Sequence, residues 1–146
     1  MGRKLQIAFA GLAAAFVAMQ LVPVSRENPP VEEDVAAPAE VASILRRSCY
    51  DCHSHETRWP WYSRVAPVSW LVASDVRDGR RHLNLSRWNR LDGDKRAHAL
   101  EEIVEVVTEG EMPIRAYLLT HPGAELTAAD VETIRAWAGP AEPSEN

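Results

Sequence analysis

Leu5 to Val24 runs for twenty residues without a charge, broken in its apolar character only by Gln6 and Gln20. A helix of that length can cross a bilayer, so residues 1–24 are expected to be a signal anchor or a signal peptide. Residues 25–39 show no periodicity. Pro29, Pro30 and Pro38 stand there among acidic residues with few large apolar side chains, which predicts a semi-extended tether unable to fold alone. From Pro38 to Cys52 the pattern turns helical, with Val41, Ile44, Leu45 and Ser48 on one face. Val68–Leu83 repeats it with Leu71, Val72 and Val76 inward, and Asp94–Thr108 with Leu100, Ile103, Val104 and Val107, stopped by Gly110. The last helix carries a T-x-x-D capping signal at Thr127 and Asp130, with Val131, Ile134 and Trp137 inward and Gly139 just past its end. No strand-length alternation occurs. The expected fold is all-α, a small helical domain over 40–139 behind the N-terminal helix, with 140–146 as a disordered tail.

Composition narrows the function. The chain has 146 residues, 46% hydrophobic and 25% charged, enough for one domain with one core. It holds 16 basic against 21 acidic residues; Arg3 and Lys4 precede the apolar run, so the rest carries 14 against 21, a net of −7. An acidic domain is a poor match for phosphates, and nucleic acid is excluded as the main partner. Arg3 and Lys4 held on the cytoplasmic side would put the domain in the periplasm, as a single-pass inner-membrane protein or, after cleavage, an exported one.

The chemistry concentrates in Ser48-Cys49-Tyr50-Asp51-Cys52-His53. Cys49 and Cys52 are the only cysteines, and with His53 they form C-x-x-C-H, the pattern for covalent attachment of a c-type haem. Two thiols one helical turn apart can each add to a vinyl group, and the next residue offers its imidazole to the iron. A thioredoxin-like dithiol would need a preceding strand, where an amphipathic helix is expected; a structural zinc site would need four ligands, and the sequence has no second C-x-x-C and no H-x3-5-H to supply them.

For the second axial ligand, Met112 is the sole methionine beyond the tether and lies in a turn, Gly110-Glu111-Met112-Pro113, where a loop sulfur can approach an open haem face. His55 is too near His53 to reach the other face, and His98 lies among charged helix neighbours. His82 and His121 stay open as alternatives.

The order CYDCH, ETRWPWYSRVAPVSWLV, DVRDGRRHLNLSRW, EMPIRAY and HPGAELTAADVETIRAW resembles the bacterial haem-binding domain family, itself similar to class I c-type cytochromes, over about Val41 to Trp137. The resemblance implies one covalent haem c at Cys49 and Cys52, His53 as proximal ligand and Met112 as distal ligand. It departs from class I cytochromes at the crossing of first and last helices, where Ala39, Ala42 and Ser43 face Trp137 without the usual glycine. Trp59 and Trp61, in a Pro-bounded loop soon after His53, are expected to wall the haem and to donate an indole N–H to a propionate, whereas Trp70 has the spacing of a core residue. Arg58, Arg64, Arg77, Arg80 and Arg81 cluster nearby, as propionate partners or as a solvated face. The expected function is a membrane-tethered mono-haem cytochrome that passes single electrons between redox protein partners and catalyses no reaction of its own. The alternative is a haem-based sensor or small-ligand-binding module.

Overall fold

The computed structural model describes residues 2–139, and the expected tail at 140–146 lies outside the described residues. Among the described residues there are seven helices: α1 (Arg3–Gln20), α2 (Ala39–Ser48), α3 (Tyr50–His53), α4 (Val68–His82), α5 (Gly93–Thr108), α6 (Arg115–Leu118) and α7 (Ala128–Ala138). Short 3-10 turns occupy Trp61–Arg64, Trp88–Arg90 and Pro122–Ala124. No strand forms among the described residues, only an isolated bridge between Glu33 and Arg87. The all-α expectation holds.

The helix predicted over Pro38–Cys52 is two helices. Cys49 leaves α2 with φ −121° and ψ −37°, and the four-residue α3 restarts on a new axis. All four residues predicted to face inward from α2 are buried, and Ile44 packs with Ile103, Val107 and Ile134 where α2, α5 and α7 meet. The crossing of α2 and α7 is closed by Trp137 against a second cluster built on Val41, Leu45, Tyr50, Leu85 and Trp88. Arg47 adds an ion pair to Asp130 at 2.9 Å. The expected T-x-x-D cap is complete: Asp130 N–H donates to the Thr127 hydroxyl, the Thr127 N–H donates back to Asp130, and Gly139 ends α7 at φ 47°. In α4 only Val76 of the three predicted residues is buried. Leu71 is exposed and Val72 half-buried, and in the N-terminal turn of α4 it is Ser69 that is buried.

The N-terminal region departs from its sequence pattern in two respects. The apolar run extends to Val24, but α1 stops at Gln20, and among the described residues no helix is long and apolar enough to cross a membrane. Residues 25–39 are extended, as a tether would be, yet they lie along the domain as a strap. Val35 is buried, and its N–H donates to Leu85 O at 3.1 Å; Glu32 and Glu33 N–H both donate to Ser86 O, and Trp88 N–H to Glu33 O. Asp34 accepts from Tyr50 Oη at 2.7 Å and pairs with Arg46. The segment's own composition was too polar to predict this, since what holds it is backbone pairing to another part of the chain.

Gly79 sits in mid-α4 where a side chain would ordinarily favour the helix. A Cβ placed there would lie 2.7 Å from the Cys52 carbonyl oxygen and 3.1 Å from its carbon, so the missing side chain is what lets α4 lie against α3. Gly79→Ala is expected to destabilise the protein by about 1–3 kcal/mol through overpacking, although helix propensity alone would stabilise it by about 1 kcal/mol. Thermal unfolding followed by circular dichroism decides the sign. Gly93→Ala, at a position with nothing within 4 Å, should be neutral or better; equal melting of the Gly79 variant and the parent would refute the close-packing account.

Candidate functional site

The site begins with the break at Cys49. Had α2 continued, its residues would have advanced steadily round one axis; instead α3 turns the Cys49–His53 segment into a cavity of about 420 Å³. That volume falls within the ~300–1,000 Å³ of small-molecule and cofactor pockets. The lining comes from four parts of the chain: Cys49, Cys52 and His53; Asp75, Asp78, Gly79 and His82 of α4; Ala99, Ile103, Val106 and Val107 of α5; and Met112, Pro113, Ile114 and Tyr117 beyond it. Four residues singled out from sequence, Cys49, Cys52, His53 and Met112, are therefore brought to one cavity from positions some sixty residues apart.

His53 is held in one ring state. Its Nδ1–H donates to the Leu83 carbonyl at 3.2 Å, which fixes the tautomer and leaves Nε2 as the nitrogen with a free lone pair. Burial pushes its pKa below the usual histidine value, so the neutral, ligating form is favoured. The His53 carbonyl accepts the Leu85 N–H at 2.8 Å, so ring and main chain are both fixed by the residues following α4.

The two thiols are free. Burial drives both upward, Cys49 to about 12 and Cys52 to about 11, with the charge of Cys52 adding to the effect on Cys49 and the Asp75 and Asp51 carboxylates to that on Cys52. Redox-active dithiols have the opposite property, a lowered pKa that exposes a thiolate, so this pair is unlike one. Among the described residues no group of three or more His, Cys, Asp or Glu is arranged to hold a bare metal ion.

Asp51, between the cysteines, faces away from them into a brace. It accepts from Arg58 N–H at 2.9 Å, from the Arg58 guanidinium at 3.3 Å, and from Tyr117 Oη at 2.8 Å. Tyr117 in turn stacks on His121 with ring centroids 4.1 Å apart. Burial and the Asp51 carboxylate raise the Tyr117 phenol, which stays a donor. This ties the α3 turn to the segment that carries Met112. Tyr117 had no sequence signal beyond its place five residues after the Met-Pro pair.

Met112 is on the cavity lining and 37% exposed, with its N–H donating to Val106 O at 3.2 Å. His82 also lines the cavity, whereas His121 does not. His98 lies on the exposed side of α5. His55 is buried with both ring nitrogens engaged: Nδ1–H donates to Pro30 O at 2.7 Å, and Nε2 accepts from Asn84 at 3.0 Å.

The tryptophan expectation fails. Neither Trp59 nor Trp61 lines the cavity. Trp59 donates its indole N–H to Asn28 of the strap at 3.2 Å, and Trp61 is 77% exposed. The Pro-bounded loop runs from Asp51 toward the strap and α1, so proximity in sequence to His53 does not become proximity in space. The core reading of Trp70 also fails, at 37% exposure. Four of the five arginines are committed within the protein. Arg58 pairs with Asp51, Arg77 and Arg81 pair with Asp78, and Arg80 donates to Ser54 O, Glu27 O, Asn28 and Thr57.

The residues present fit a haem. The cavity presents a largely apolar wall, it offers the free Nε2 of His53 and, on α4, the ring of His82, and the buried Ser48 hydroxyl on its lining has no hydrogen-bond partner among the described residues. No curated protein and no solved structure matches the chain. The model of the haem-binding domain matches residues 14–139, a span that contains every lining residue of this cavity. An aliphatic pocket, an imidazole fixed by a backbone carbonyl and that match agree: the chain belongs to the haem-binding domain family.

Proposed function

We propose that the protein is a membrane-tethered carrier of single electrons that holds one haem c covalently at Cys49 and Cys52. The observation that carries this reading is the convergence of both thiols, the His53 imidazole and the Met112 thioether on one cavity. When bound, such a group supplies one-electron exchange between ferric and ferrous iron. The chain's part is to hold and tune. Cys49 and Cys52 would each add S–H across a vinyl double bond, sulfur to one carbon and hydrogen to the other. His53 would ligate through Nε2, its ring turned by Leu83 O. Ile103, Val106 and Val107 exclude water from the cavity wall. Met112 would be the second axial ligand, on a loop reached through the Asp51–Tyr117 brace. This arrangement supports a relation to small c-type cytochromes.

Membrane attachment through the N-terminal helix is supported by its surface: Leu5, Ile7, Phe9, Leu12, Phe16 and Val17 are all exposed and pack on nothing in the domain. With Arg3 and Lys4 on the cytoplasmic side, the domain is in the periplasm, where its partners are other redox proteins. A second reading is a haem-based sensor of small ligands, in which Met112, carried on the loop between α5 and α6 and not on a helix, gives way to the ligand.

Covalent attachment predicts that acid-acetone leaves the colour with the polypeptide in a one-to-one ratio, and that replacing both Cys49 and Cys52 by Ala abolishes this. Colour freely extracted from the parent sinks the proposal. For topology, a reporter fused after Asn146 should be active only as a periplasmic type; cytoplasmic activity would reverse the assignment.

Met112→Ala separates carrier from sensor. Thioether sulfur favours ferrous iron, so its loss should lower the potential, remove the weak long-wavelength sulfur-to-iron band and make carbon monoxide binding fast. Rapid carbon monoxide binding by the parent itself would favour the sensor. If Met112→Ala changes nothing while His82→Ala alters spectrum and potential, the second ligand is His82.

A further inference from the structure

The end of the domain at which α1 leaves is apolar, and its composition is unlike the rest of the surface. The Gln20 side chain closes both hydrogen bonds of one peptide position: its oxygen accepts the Ala66 N–H at 2.9 Å and its amide donates to Ala66 O at 3.3 Å. Arg26 donates to Ser63 O at 3.2 Å. These contacts fix the exit of α1 against residues 61–71. That stretch exposes Trp61, Val65, Val68, Trp70 and Leu71. On one side of it Trp59 and Trp70 line a hollow with Pro23 and Val24, the last apolar residues after α1, and with Ser25. On the other, Tyr62 bonds Thr120 at 2.9 Å, which brings the 85% exposed Leu119 alongside. Single exposed apolar residues are ordinary, but a ring of them around the root of an apolar helix is not.

We propose that this collar, Trp61 to Leu71 with Leu119, rests on the lipid bilayer and sets the domain's orientation on it; the inference rests on reading α1 as the membrane attachment. Three observations select lipid as the occupant. The collar is continuous with the exposed apolar surface of α1 through the Gln20 clamp. Its large side chains are tryptophans, whose apolar ring and polar N–H suit the boundary between acyl chains and headgroups. Its charges are Arg26 and Arg64, with Arg77 and the single carboxylate Glu27 at the hollow, a basic balance in a domain that is otherwise acidic, which matches anionic headgroups. Trp61 and Trp59 thus have a role different from walling the haem. They follow C-x-x-C-H in sequence because the loop that carries them runs from the site to the membrane end.

The test uses the full chain with its haem in vesicles of phosphatidylethanolamine and phosphatidylglycerol containing a phospholipid with a diazirine on its acyl chain. After irradiation, labelled peptides are mapped by mass spectrometry. Label is expected on α1 and on the peptides covering 59–77, at about fivefold or more over those of α5, as for an element seated at the acyl boundary. Trp61→Ser combined with Leu71→Ser, both exposed positions, should keep the α1 label and cut that of 59–77 by about tenfold, because two buried apolar side chains are lost. Label on α1 without label on 59–77 overturns the collar and leaves attachment standing. Label on neither overturns both. If 59–77 is unlabelled from the lipid but shielded from a water-phase reagent, a protein covers the collar and the proposal is wrong.

Discussion

The four residues Leu83–Ser86 hold both His53 and the strap, and the rest of the molecule is arranged around that hold. Leu83 O fixes the His53 ring, Leu85 N–H fixes its carbonyl, Ser86 Oγ accepts the His55 N–H, and Ser86 O accepts Glu32 and Glu33 from the strap. Leu85, with no exposed surface, sits beneath all of them in the cluster of Val41, Leu45 and Trp88. Each such bond is worth only about 1 kcal/mol net, but none can be lost singly without leaving a buried group unpaired. The position of the imidazole is therefore a property of the core and not of the α3 turn alone.

Packing of α4 on α3 supplies the second half of the arrangement. Gly79 admits the Cys52 carbonyl, and the next residue, Arg80, gathers Ser54, Thr57, Glu27 and Asn28. A guanidinium with its donors spent on main-chain carbonyls and neutral side chains is a structural cross-link. Arg80, in the arginine cluster near the motif, is therefore spent on the fold. Charge counting locates such a cluster; only the geometry of its acceptors says what it is for.

Sequence carried the helices well and named four residues that the fold brings to one cavity. Helical spacing in Val41, Ile44, Leu45 and Ser48 is a local property, the Thr127–Asp130 cap is complete within four residues, and Cys49, Cys52 and His53 stand together in one short run. What could not be read was long-range. The strap's order comes from backbone bonds to residues 85–88, and backbone groups are the same in every sequence. The helix break at Cys49 follows from docking α3 on α4, and no proline or glycine marks it. Trp59 and Trp61 were misassigned for a related reason: distance along the chain from His53 says little once an extended loop intervenes. Gly79 was the one long-range feature with a local sign, a glycine inside an otherwise regular helical pattern.

His55 stands two residues beyond His53 on the same short loop, yet its imidazole has no vacant nitrogen. Pro30 of the strap takes one and Asn84 the other, and the ring is 97% removed from solvent. Freeing that ring would break both bonds and leave buried polar groups unpaired, so of the two neighbouring imidazoles only that of His53 has a nitrogen at liberty. The strap, whose Pro30 lies 85 residues before the start of α6 at Arg115, thereby makes His55 a fastener between distant parts of the chain.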